Sequence, residues 1–323
     1  MHRLTRRTSI VSMLAIVLSS MAQAQDIPAR GLRIIVPTST GTASDLSSRF
    51  IAEQLTKDLA VPVVVDNKPG ANGIVAVQQF MAAPADGTTL LLTASGLYAN
   101  PALYKNVPYD PVRDFKLVAP VNEALFVLVA APSFAPANVA QLIELAKSKP
   151  GEVTYASASV GSSTHLGPEL FASRAGIQLR HIPYKGGAQA ITDTAGGQVN
   201  IAMTAVPTAA PLIKAGRLKA LAVTGSRRSN LLPDVPTLAE SGVSGAEISS
   251  RQALAVPSAT PDAIASRLSS AITRVTASAE YARFLESQGL EKEPMAADIY
   301  ARTGPSELRR WAEMVRISGA KLD

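Results

Sequence analysis

Short runs of β-branched and aliphatic residues alternate along the chain with stretches whose apolar side chains recur at helical spacing. Residues 33–36 form a β-branched run of the kind that makes a buried strand. Residues 45–59 then carry Leu46, Phe50, Ile51, Leu55 and Leu59 along one stripe, which predicts an amphipathic helix. Between them residues 37–44 are hydroxyl-bearing or small. Thr42 or Ser44 can cap the helix, and Asp45 falls in the first turn, where the helix dipole favours an anion. A strand, a small-residue loop and a helix start together offer unpaired backbone N–H groups to an anion above them.

The alternation continues. Residues 61–65 predict a strand, 66–73 a turn-rich loop and the following Ala/Val/Gln segment a helix through Ala83. Asp86-Gly87 marks a turn before a strand at 88–93, and a small-residue loop at 94–97 follows. Residues 115–131 are long and apolar with a polar interruption at Asn122-Glu123, as expected of a strand crossing between domains. A second block predicts a helix at 139–149, a strand at 153–156, the hydroxyl loop 157–164 and a helix from about Thr164 to Ala175. Strands near 178–182 and 199–203 frame another helix; a short helix at 207–216 and a strand at 218–224 complete the block. Residues 247–256 read as the return crossing, and helices at 261–278, 281–288 and 306–317 close the chain.

The strand, hydroxyl loop and helix thus recur once in each half. Strands alternating with helices predict an α/β fold whose parallel sheets are covered on both faces. The expected division is 25–123 with 249–323 as domain 1 and 124–248 as domain 2. Two such units facing each other across a double crossing make a clamp. Ligands of open α/β sheets sit beyond the carboxyl ends of the strands, and each helix N-terminus carries about half a positive charge. The clamp therefore suits a carboxylate.

The first residues are expected to lie outside the fold. Arg3, Arg6 and Arg7 precede the apolar stretch 10–18, which is too short to span a bilayer, and Ala22-Gln23-Ala24 supplies an A-x-A cleavage site. This predicts a signal peptide over 1–24, cleaved after Ala24, and a periplasmic product. Thr5-Arg6-Arg7 also partly matches a twin-arginine signal, but the residues after it fit the general secretory route better. Losing three arginines lowers the net charge from +6 to +3. With 5% aromatic residues and no Lys/Arg cluster, nucleic-acid binding is not supported. The chain has no cysteine, which removes disulfides, thiolate metal sites and a lipidated anchor at the cleavage point.

Catalytic machinery is also missing. There is no G-x-S-x-G elbow, Walker loop or G-x-G-x-x-G. Beyond the signal peptide the histidines are His165 and His181, without H-E-x-x-H spacing, so no metal or cofactor is expected. His165 follows Ser162-Ser163-Thr164, but adjacent helical residues point apart, which favours a ligand-facing or structural role over a Ser–His pair.

From residue 30 to the C-terminus the chain resembles the tripartite tricarboxylate transporter substrate-binding proteins, the TctC or Bug family. The carrying residues are Arg33-Ile34-Ile35-Val36-Pro37 leading to Ala43-Ser44-Asp45, Val65-Asp66-Asn67-Lys68-Pro69-Gly70-Ala71, Asp86-Gly87-Thr88-Thr89 and Pro108-Tyr109-Asp110-Pro111. Further on come Ser163-Thr164-His165-Leu166, Pro183-Tyr184-Lys185-Gly186, Gly196-Gly197-Gln198-Val199 and Leu232-Pro233-Asp234-Val235-Pro236. The resemblance implies a two-domain, type II periplasmic binding protein of the Venus-flytrap kind. Such a protein grips a small carboxylate, closes about hinges near 122–126 and 248–254, and docks as a monomer on an inner-membrane tripartite tricarboxylate permease.

This chain departs from the family pattern in three places. The first loop reads Thr40-Gly41-Thr42-Ala43-Ser44-Asp45 where the family usually has Pro-Gly-Gly-Ala-Thr-Asp, so hydroxyls replace part of a backbone grip. Thr204 stands where many members carry an acid suited to an ammonium, which argues against an amino-acid ligand. Arg251-Gln252 replaces an aromatic pair in the return crossing, and an arginine fork matches a carboxylate. The expected ligand has two separated carboxylates and no amine, with an aromatic diacid such as terephthalate or a linear diacid leading. One end would meet Thr38, Ser39, Thr40, Thr42, Ala43 and Asp45, with help from Ser95. The other would meet Ser159, Ser162, Ser163, His165, Thr204 and Arg251. Each has a plainer alternative: Asp45 as a first-turn residue, the serines as caps, Arg251 as the partner of a surface acid. A sensing role without transport uses the same fold, while an exported hydrolase is disfavoured by the missing nucleophile and base.

Overall fold

Strand β1 (Leu32–Val36) forms the middle of a first parallel ladder in a computed structural model that describes residues 30–322. The expected signal peptide lies outside the described residues. β2 (Val63–Asn67) and β3 (Thr89–Leu92) flank β1, both parallel to it. β4 (Phe115–Ala130) and β9 (Ser249–Pro257) run antiparallel to each other, and β9 joins β3, giving the order β2-β1-β3-β9-β4. The far half of β4 enters a second sheet. There it pairs antiparallel with β7 (Ile201–Ala205) and β8 (Lys219–Val223), and β7 continues to β5 (Thr154–Ser157) and β6 (Arg180–Pro183). At 16 residues β4 spans roughly 50 Å, long enough to serve both lobes.

Both faces of each sheet are covered, which is why the strands read as unbroken apolar runs rather than alternating ones. Leu32, Ile34 and Val36 face α1 (Ala43–Leu59), α8 (Asp262–Ala277) and α9 (Ala279–Gln288). Ile35 faces the other way, toward α2 (Ile74–Met81), α3 (Gly96–Leu103) and α11 (Gly304–Ser318), which follows the short α10 (Ala297–Tyr300). In the second lobe Leu128 and Tyr155 pack with α4 (Val139–Ser148) and α5 (Ser163–Ala175). Val127 and Ala156 pack with α6 (Gly187–Ala195) and α7 (Val206–Lys214). Helix α11 touches both α3 and α5, and Trp311 and Met314 share one apolar cluster with Leu166 and Leu170. No helix among the described residues is long and apolar enough to cross a membrane.

Helix α3 differs from the sequence reading. Residues 96–103 form α3 although Gly96 and Pro101 are helix breakers, because Leu97, Tyr98, Ala99 and Leu103 are buried and tertiary packing outweighs propensity. The polar pair Asn122-Glu123 lies within β4, as the expected crossing strand requires. Asn122 donates from Nδ2 to Ser47 Oγ of α1 (3.0 Å), and Glu123 turns to the opposite face, where the segment after α9 lies.

Candidate ligand-binding site

The ends of β1 and β3 open on a cavity of about 270 Å³ whose wall includes Thr38, Ser44, Asn72, Ser95, Ser250 and Gln252. Among the described residues no Asp, Glu, Lys, Arg or His lines it. Helices α1 and α3 begin at this wall, so the positive ends of two helix dipoles converge on an otherwise uncharged space. The start of α5 meets them from the second lobe, where Ser163 Oγ lies 3.1 Å from Ser95 Oγ. Gly96 is demanded by this packing, since a Cβ there would stand 2.2 Å from the Asn72 carbonyl oxygen.

The loop before α1 is held by its own hydroxyls. Thr42 caps the helix, accepting from Asp45 N (3.4 Å) and donating to the Ser39 carbonyl (2.9 Å); Thr38 Oγ1 lies 2.8 Å from Thr42 Oγ1. Thr40 reaches Asn67 rather than the cavity, and Ala43 is the first residue of α1. Asp45 is 1% exposed and accepts from the Gly41 N–H (2.9 Å) and Arg49 Nε (3.1 Å). Burial alone would raise its carboxyl, but these donors together hold it below the usual carboxylate value. Asp45 therefore fixes the loop from beneath. Of the residues expected in the first lobe, Thr38 and Ser95 line the cavity; Ser39, Thr40, Thr42, Ala43 and Asp45 build the loop around it.

In the second lobe, Ser162 Oγ donates to the Ser159 carbonyl (2.7 Å) and lies 2.9 Å from Thr164 Oγ1, while the Ser163 hydroxyl reaches across to the first lobe. His165 is 4% exposed and its ring stacks on His181 at 4.0 Å. His165 Nδ1 accepts from the Gly161 N–H (3.1 Å), so the neutral ring carries its hydrogen on Nε2. Burial pushes His165 down to about 4, reinforced by His181; burial does the same to His181. His181 Nε2 is 2.6 Å from Ser157 Oγ, and its ring stacks on Tyr155, which donates to Glu169. Thr204 is buried in β7 opposite Val127 and is not part of the cavity wall.

Arg251 also lies off the wall. Side chains alternate along a strand, so Ser250 and Gln252 face the cavity while Arg251 faces away. Its guanidinium lies 3.5–3.7 Å from carboxylate oxygens of Glu123, Glu293 and Glu307. Gln252 instead donates from Nε2 to Ser44 Oγ (2.5 Å), tying the crossing strand to the start of α1. Sequence reasoning did not assign Asn72, Ser250 or Gln252 to the site, and held Ser44 only as a helix cap within the loop 38–45. The polar run Ser249–Gln252 at the start of an otherwise apolar strand was the available signal for Ser250 and Gln252, through the period-2 alternation of its faces. Asn72, with a left-handed φ of 51°, is signalled by the Gly70–Gly73 turn. Among the described residues no group of His, Asp and Glu is placed to hold a metal ion.

Two α/β lobes joined by β4 and β9 around a cleft define the type II periplasmic binding-protein fold. The R. palustris protein Rpa4515, solved with adipate, superimposes with a TM-score of 0.80 at 32% identity, over 92% of this chain and 100% of that one. MatC from Rhodopseudomonas palustris, solved with bound malate, gives a TM-score of 0.76 at 27% identity, over 89% and 99%. Protein BugT of Bordetella pertussis is 34% identical over 307 residues, 94% of each chain. Residues 47–319 match the model of the tripartite tricarboxylate transporter family receptor, TctC. The chain belongs to that family, a family of solute-binding receptors and not of enzymes.

Proposed function

We propose that this protein captures a small dicarboxylate between its lobes and delivers it to a tripartite tricarboxylate permease in the inner membrane. One observation carries the reading: among the described residues the cavity wall has no charged side chain, yet the N-termini of α1 and α3 point at it and α5 meets them through Ser163. A carboxylate is stabilised there by N–H groups and hydroxyls. An ammonium would be desolvated with no anion beside it, a costly arrangement. This favours diacids over amino acids. Relatives solved with adipate and with malate support the same class. The uncharged space suits a methylene chain or an aromatic ring as in terephthalate.

A ligand touching both lobes stabilises the closed form by its differential affinity for it. The chain reaches the periplasm after cleavage behind Ala24, which N-terminal sequencing of the exported protein checks. A thermal-shift panel of mono-, di- and tricarboxylates, with glutamate and aspartate as controls, tests the specificity. A ligand at 100 times its dissociation constant adds about 2.7 kcal/mol of stability. A shift with glutamate or aspartate and none with any diacid would refute the proposal.

A further inference from the structure

Behind the crossing strands, on the face away from the cavity, lies a charged cluster that the ligand does not touch. Glu123 on β4 and Arg251 on β9 are register partners. Glu123 exchanges two backbone hydrogen bonds with Glu291 (2.9 and 3.0 Å), which lays the segment after α9 along the crossing. From the second lobe Arg227 comes within 3.8 Å of Glu123 and 3.5 Å of Glu291. Asn230 donates to Glu291 through its backbone N–H (3.2 Å) and its Nδ2 (3.3 Å). Helix α11 adds a second tie: Arg310 donates to the Glu247 carbonyl (2.8 Å) and lies 3.7 Å from Glu307, which Arg251 also approaches. Glu307 in turn accepts from Trp311 Nε1 (3.2 Å).

This cluster is loosely satisfied for one so buried. Glu123, Glu291 and Glu293 are each under 8% exposed, yet most of its charge-to-charge distances are near 3.5 Å. Glu293 Oε2 and Arg251 Nε have no hydrogen-bond partner among the described residues. Buried ion pairs of this quality contribute little net stability, and their best-attested use is to fix one arrangement against another. The arrangement fixed here is the one in which Ser95 meets Ser163 across the cleft.

We propose that the ties from Arg227 and Arg310 are a brace across the hinge that sets what fraction of the unliganded protein is closed. The brace tunes ligand affinity without contacting ligand, because apparent affinity scales with the fraction of binding-competent conformer. The inference rests on the reading that ligand is gripped between the lobes.

The test uses Arg227→Gln and Arg310→Gln, each in the full mature chain, with small-angle scattering and the emission of Trp311, the chain's single tryptophan. Without ligand, each variant is expected to show a larger radius of gyration and a changed Trp311 emission. Affinity for the probes adipate and malate should fall by about three- to tenfold. An added Ser95→Cys/Ser163→Cys pair, oxidised to hold the lobes together, should abolish the difference in radius, which separates loosening at the hinge from general unfolding. Variants that match the parent in radius, emission and affinity would overturn the brace. A parent that neither binds nor compacts with any diacid of the thermal-shift panel, adipate and malate included, while its ligand-free variants still expand, would instead sink the ligand reading and leave the brace standing.

Discussion

Lowering the pH from 7 to 5 should destabilise this protein through its stacked histidines. His165 and His181 lie 4.0 Å apart, centroid to centroid, and each is pushed from 6.5 down to about 4, chiefly by burial. Between those values the unfolded chain binds protons that the folded one refuses. Stability therefore rises with pH across this window and is lost as pH falls. Linkage gives about 2 kcal/mol per histidine by pH 5, and the half-buried His181 contributes less than His165 because solvent screens it. Glu169 and Glu293 work the other way: burial raises both carboxyls, so their folded forms keep protons that the unfolded chain releases. The lowered carboxyls Asp45, Asp86 and Asp114 matter only near and below pH 4. The net expectation is a loss of about 2–3 kcal/mol, read by urea denaturation at fixed ionic strength. A His165→Asn/His181→Gln double variant keeps hydrogen-bonding atoms near Gly161 N and Ser157 Oγ and should flatten the dependence. If it loses as much stability between pH 7 and 5 as the parent, the histidines are not the cause.

Three further outcomes follow from the cleft. Gly161→Ala should weaken adipate binding by about tenfold in calorimetry, because φ is +77° and the new Cβ would stand 2.8 Å from Leu103 Cδ1 on the opposite lobe; unchanged affinity would mean that this contact does not accompany closure. Ser95→Ala removes the bond to Ser163 and should cost about 1 kcal/mol of closure, or roughly fivefold in affinity, with the unfolding midpoint held. Arg251→Ala leaves the buried Glu293 without its guanidinium neighbour and Glu307 with one arginine neighbour, Arg310, in place of two, so it should lower stability by about 3 kcal/mol while changing dicarboxylate affinity far less. A tenfold affinity loss at unchanged stability would instead put Arg251 on the ligand.

Periodicity made most of the fold legible, including the opening strand and helix, the long crossing and the return strand. It failed at 96–103, where Pro101 and Gly96 mask a helix that only its neighbours stabilise. The first loop reads from sequence as a candidate site, but the roles of its residues are not separable there: Thr38 faces the cavity, while Asp45, seven residues on, is turned inward to Gly41 and Arg49. The return crossing shows the limit most clearly. Charge chemistry drew attention to Arg251, whereas strand alternation gives the cavity to Ser250 and Gln252. Which of two strand faces looks at a ligand depends on the partner strand, and that is settled only by the assembled sheet.

Strand β9 lies between β3 and β4, yet it is made of residues 249–257, some 130 positions after β4 begins. The first lobe therefore lacks an interior strand until most of the polypeptide has been synthesised. Contacts so distant in sequence form slowly. A chain of this design commits to its final shape only once its last quarter is available, later than one whose lobes mature in order.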